Sequence, residues 1–142
     1  MGYTTQQTGF LLGLGVSSIS DTGTAFAQNK KTIHEYYEEV SQGNLPVQKG
    51  YFLNSVDVAF RKYILDISCR GEAIFHTEDL PLLQEQTFPK LAEFEKDGLL
   101  EWNTTSVKLT KQGHYFIRNI CSAFDLYLDK ANPAKQIFSK AI

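Results

Sequence analysis

From residue 29 to residue 128 the apolar positions recur mostly at helical spacing, broken by short extended runs. Asn29 stands before Ile33, Tyr37 and Val40, which share one helical face, so it is expected to cap a first helix that Gly43 stops. Asn44-Leu45-Pro46 reads as a turn and residues 47–53 as extended. Ser55 is expected to cap a second helix, with Asp57 in its first turn and a buried stripe of Val56, Phe60, Tyr63, Ile64 and Ile67, ended by Gly71. Residues 73–75 suit a short strand. Thr77 opens a third helical piece through Leu83 despite Pro81, and Thr87 caps a fourth with Pro89 in its first turn, Leu91 and Phe94 inward and Gly98 as stop. Residues 99–102 and 106–109 form a hairpin around Asn103-Thr104-Thr105. Thr110 then caps a long last helix with the stripe Phe116, Ile117, Ile120, Cys121, Phe124 and Leu128, closed by Pro133 before a tail to Ile142. Helices, a hairpin and a helix in that order predict an α+β, winged-helix-like domain.

Upstream the pattern changes. Phe10 to Val16 is a short apolar run broken by Gly13 and Gly15, which predicts a strand buried on both faces. Such a strand needs parallel neighbours and covering helices, so it is expected to be the last strand of a domain whose remainder is absent. Residues 17–29, rich in Ser, Thr, Gly and Asp, read as the loop that leaves it. The domain boundary is therefore drawn near residue 28, giving residues 1–28 and 29–142.

Composition narrows the function classes. An apolar content of 42% across 142 residues supports one compact domain with a tail, or one domain and a fragment of another. Fourteen basic against sixteen acidic residues, a net charge of −2, give no general attraction to nucleic acid or anionic membrane. Cys69 and Cys121 are too far apart in sequence for a zinc or cluster motif, and both fall on apolar stripes, which predicts inert thiols in a reducing, cytoplasmic setting. His34, His76 and His114 share no metal spacing, and no metal ligand or catalytic residue is expected in this chain. The longest apolar run is far too short to span a bilayer, and no targeting segment is read.

Four strings in order add a family resemblance: Gly2-Tyr-Thr-Thr-Gln6, Leu11-Leu-Gly-Leu-Gly15, Ala27-Gln-Asn29 and Arg118-Asn-Ile-Cys-Ser-Ala-Phe-Asp125. Together they resemble the C-terminal third of the oxygen-independent coproporphyrinogen III oxidases, radical S-adenosylmethionine enzymes of haem biosynthesis. The resemblance implies a parent enzyme that oxidatively decarboxylates two propionates of coproporphyrinogen III to vinyl groups, giving protoporphyrinogen IX. It implies S-adenosylmethionine and a four-iron, four-sulfur cluster in that parent, with the missing α/β barrel as this chain's partner and porphyrinogen as the parent's substrate. Residues 1–28 are then a remnant of the barrel, and Ile19, at the expected strand end, contacts S-adenosylmethionine by packing and backbone contact. The family's Cys-x-x-x-Cys-x-x-Cys motif is missing, so no cofactor is expected in this chain and it is expected to be inactive alone.

The competing reading is a winged-helix DNA-binding protein, and a third is a structural interaction module. For the DNA reader, the recognition helix would be residues 88–97, whose polar residues Lys90, Glu93, Glu95, Lys96 and Asp97 repel phosphate on balance. The isolated strand at residues 10–16 is also expected to drive a homodimer, as an unpaired apolar edge would.

Overall fold

The computed structural model describes residues 9–128. The Gly2–Gln6 string, Pro133 and the tail to Ile142 lie outside them. Contacts among the described residues cluster into two compact units, divided between Val58 and Ala59.

The first unit holds strand β1 (Ile19–Asp21), β2 (Ala25–Asn29), helix α1 (Ile33–Ser41) and β3 (Val47–Phe52). The strands form one antiparallel sheet in the order β1-β2-β3. Residues 17–29 are thus not the expected loop but mostly a hairpin, with Ile19 opposite Gln28 and Asp21 opposite Phe26. Its turn is built by side chains. Asp21 Oδ1 accepts from the Gly23 amide at 2.8 Å, and Gly23 takes φ +84°, which L side chains rarely adopt.

Residues 10–16 are not the expected two-sided strand. Only Leu11 bridges, exchanging two 2.8 Å backbone bonds with Asp21. Gly15 at φ +97° and Ser17 at φ +61° turn the chain away from extension. Phe10, Leu12 and Leu14 are each more than 75% exposed.

Helix α1 starts one turn later than expected. Thr32, not Asn29, is its cap: its hydroxyl accepts from the Glu35 amide at 3.4 Å and donates to Glu35 Oε2 at 2.6 Å. Asn29 is instead the buried last residue of β2. The expected stripe Ile33, Tyr37 and Val40 is exposed. Gly43, at φ +78°, stops the helix where the sequence places the stop.

Helix α2 (Ser55–Arg70) is capped by Asn54 rather than Ser55. Asn54 Oδ1 accepts from the Asp57 amide at 2.9 Å, and Asp57 Oδ2 accepts from the Asn54 amide at 3.0 Å and the Tyr51 hydroxyl at 3.2 Å. This reciprocal pairing satisfies amides that the first turn leaves without partners.

The second unit runs from Ala59. A three-stranded antiparallel sheet of β4 (Glu72–Ile74), β5 (Leu100–Trp102) and β6 (Ser106–Leu109) has the order β4-β6-β5. Its core joins Phe60, Tyr63 and Ile67 of α2 to Leu83, Leu91, Leu100, Val107, Ile120 and Phe124. Tyr63 is fully buried: its hydroxyl donates to Asp79 Oδ2 at 2.5 Å and accepts from the His76 amide at 2.9 Å.

The third and fourth expected helices are one helical stretch. A 3₁₀ turn (Thr77–Asp79), α3 (Leu80–Leu82), a π-helical turn (Leu83–Thr87) and α4 (Phe88–Lys96) follow without a break. Thr87 therefore caps nothing; its buried hydroxyl has no hydrogen-bond partner among the described residues. Pro89 supplies no amide for an α-type bond to residue 85, and the π turn, with the Phe88 amide on the Leu83 carbonyl, carries the chain across.

The hairpin of β5 and β6 is as expected, with Asn103 Oδ1 accepting from the Thr105 and Ser106 amides. The last helix is shorter than expected. Residues Gly113–Phe116 form a 3₁₀ turn before α5 (Ile117–Ser122), which leaves Phe116 44% exposed while Ile120 and Phe124 are buried.

Candidate functional site

Ile19 lies at the first residue of β1, 44% exposed, beside the glycine-containing loop of residues 12–18. The sequence expectation set it at the end of a parallel strand. In the structure it opens an antiparallel one, and the loop before it is held by side chains. The Gly13 amide donates to Ser20 Oγ at 3.1 Å and the Gly15 amide to the Tyr36 hydroxyl at 3.2 Å. The carbonyls of both glycines accept from one group, Asn29 Nδ2, at 3.1 and 3.0 Å. Backbone bonds from Ser17 to the Lys30 carbonyl and from Asn29 to the Ser18 carbonyl, both 2.9 Å, complete the fastening.

Sterics agree with the hydrogen bonds. A Cβ on Gly13 would stand 2.6 Å from the Ile19 carbonyl oxygen, so only glycine lets the loop lie this close to β1. The bonded glycine amides are turned to Ser20 and Tyr36, so this is not a phosphate cradle of free amides. What the loop presents outward is apolar: Leu12, Leu14 and Ile19. Asn29, Tyr36 and Ser20 are the residues that sequence reasoning missed. The available signal was the glycine pair, whose polar groups need partners wherever the chain packs closely.

The groups implied by the resemblance fit this chain unequally. No three His, Cys, Asp or Glu side chains converge among the described residues. Cys121 is held as a thiol by its surroundings: burial pushes its pKa up, against a 3.2 Å hydrogen-bond contact with Ser68 Oγ. A four-iron cluster takes three or four converging cysteine thiolates, so Cys69 and Cys121, the two cysteines of the chain, do not suit one. S-adenosylmethionine fits in part. Ile19 and its fixed loop can form an apolar wall against the ligand, but they offer nothing that would orient its charged ends.

No family model matches the chain. The oxygen-independent coproporphyrinogen III oxidase of Pseudomonas aeruginosa is 35% identical over 147 residues, which take in 99% of this chain and 32% of that protein. The protein of the same name from Escherichia coli is 34% identical over 155 residues, again with 99% of this chain and 32% of the relative. The solved structure of coproporphyrinogen III oxidase from Escherichia coli, described as a radical SAM enzyme, matches with a TM-score of 0.74 at 34% identity, over 89% of this chain and 31% of that one. The chain is related to the C-terminal part of these oxidases. It spans 32% of the length of both curated relatives. Because the oxidases match almost the whole chain, the glycine loop, Ile19 and Asn29 all fall inside the shared region. Among the described residues no helix is long and apolar enough to cross a membrane.

Proposed function

We propose that this chain serves as the C-terminal portion of an oxygen-independent coproporphyrinogen III oxidase, which converts coproporphyrinogen III to protoporphyrinogen IX by two oxidative decarboxylations. The observation that carries the reading is the similarity to such oxidases along 99% of the chain. In this reading the cluster, the rest of the S-adenosylmethionine site and the barrel belong to the remainder of the parent. Ile19 contributes one apolar contact to the cofactor, and the chain alone turns over nothing. The exposed Phe10, Leu12 and Leu14 suit a segment that the barrel covers. We place the evolutionary division at residue 28, with residues 29–142 as an appended winged-helix-like domain that covers substrate at the barrel mouth. The helix–strand–helix–hairpin order and the sheet order β4-β6-β5 support that fold name for residues after Ala59. Residues 88–97, α4 with its C-cap Asp97, carry three acids against two lysines, which speaks against DNA as their ligand. A cytoplasmic site of action follows from the same reading.

The test is a chimaera in which this chain replaces the matching part of the Escherichia coli oxidase. Anaerobic decarboxylation of coproporphyrinogen III by the chimaera, with none by the 142-residue chain alone, is the expected result. A chimaera that assembles its cluster yet releases no carbon dioxide would overturn the proposal.

A further inference from the structure

We propose that Asn29 is a positioning residue: its side-chain amide, bonded to both glycine carbonyls, fixes the loop that presents Ile19 to the cofactor. This rests on the reading of Ile19 as a cofactor contact.

The argument is one of supply and demand for hydrogen bonds. Gly13 and Gly15 lack side chains, and Gly15 sits at φ +97°, so the intrinsic flexibility of this segment is high. Left alone, it would sample many conformations, and ordering it would subtract from any binding that depends on it. Four polar groups of the two glycines need partners; apart from a long 3.4 Å bond from the Ser18 amide to the Gly15 carbonyl, three side chains supply them. Ser20 and Tyr36 each take one amide; Asn29 alone takes both carbonyls.

Asn29 is also the best anchored of the three. It is 7% exposed, it ends β2, and its backbone amide holds the Ser18 carbonyl at 2.9 Å. Ile19 follows Ser18 directly and pairs with Gln28, the neighbour of Asn29. One residue thus ties the two ends of the turn to the sheet from which Ile19 projects. The chemistry demands a donor. A carboxylate of the same shape would face two carbonyl oxygens with nothing to give, whereas the amide nitrogen has two protons for them.

Asn29→Asp therefore tests donation separately from size, and Asn29→Ala removes both. Hydrogen exchange on the 142-residue chain reads the loop directly. Both variants should lower the protection of the Gly13 and Gly15 amides about tenfold or more, while β2–β3 amides stay protected. Tyr36→Phe is a milder companion that should release only the Gly15 amide. In the chimaeric oxidase, equilibrium binding of S-adenosylmethionine should weaken about tenfold in both Asn29 variants, the scale of a lost hydrogen bond or two, and similarly in Ile19→Ala.

Unchanged glycine exchange in Asn29→Asp would overturn the proposal, as would a loosened loop with cofactor affinity kept while Ile19→Ala loses it. If Ile19→Ala binds normally but Asn29→Asp does not, the clamp stands and the Ile19 contact falls. Normal binding in every variant overturns both.

Discussion

Tyr63 illustrates how a single residue ties stability to pH. Burial, and then the hydrogen bond to Asp79, push its phenol up to about 12 from an ordinary value of 10. Because the folded pKa is the higher one, the stabilisation is whole below pH 10 and is lost as pH rises from 10 to 12. The loss should reach roughly 2–3 kcal/mol. Denaturant melts of the wild type and Tyr63→Phe should show a stability difference that narrows across that window. A gap that stays constant would show that the phenol ionises equally easily in both states.

Core depth can be tested at the same scale. Phe124 is 1% exposed and Phe116 44%. Phe124→Ala should cost about 3–5 kcal/mol, and Phe116→Ala clearly less, by urea denaturation. Equal costs would place Phe116 in the core after all. Gly113→Ala is a different kind of lesion. Its Cβ would fall 1.9 Å from the Leu99 carbonyl oxygen, so the backbone between β5 and the 3₁₀ turn would have to part.

At the scale of elements, the chain announces its helices better than its first sheet. The α2 stripe holds at Phe60, Tyr63 and Ile67, with Ile64 partly buried and the expected first member, Val56, exposed; the stops at Gly43, Gly71 and Gly98 and the hairpin around Asn103 stand where spacing and turn chemistry put them. The β1–β2 hairpin hid behind its polar composition, because its strands are short and only Asn29 among their residues is buried. The run at residues 10–16 misled in the opposite way: its apolar content promised burial, while Gly15 and Ser17 held backbone angles that no strand continues. Of the proposed site, Ile19 was pointed to by family resemblance alone, and its cofactor contact stands as a proposal. Asn29 could not be found, because an Asn before a helical pattern reads first as a cap. The cap of α2 differs by one residue between reading and structure, and this is measurable. Asn54→Ala should cost about 1 kcal/mol, and Ser55→Ala close to nothing, in thermal melts. The reverse order would restore Ser55 as the cap of α2.

At the scale of the whole molecule, the exposed run of Phe10, Leu11, Leu12 and Leu14 leads us to expect self-association of the chain in solution. Covering each large side chain is worth about 1.5–3 kcal/mol, and for the 142-residue chain taken by itself a second copy would offer such cover. Light scattering should find the 142-residue chain associating at micromolar concentration. Replacing Leu12 and Leu14 together by serine should return it to a monomer. An association that survives the double change would move the contact elsewhere.

The π-helical turn at Leu83–Thr87 carries a consequence for how insertions and deletions act on this chain. A π turn holds one residue more than the α turn it replaces. Deleting any one of the five would let the stretch close as an α-turn with its downstream half kept nearly in phase, because the π turn spreads its extra residue over about the same rotation. Leu91, now fully buried, would keep its inward place, and so would Phe94, packed against the same core. A relative with a single-residue gap at this point can therefore keep its helix phase, whereas the same gap inside α4 would rotate the inward side chains by about 100° and need compensation nearby.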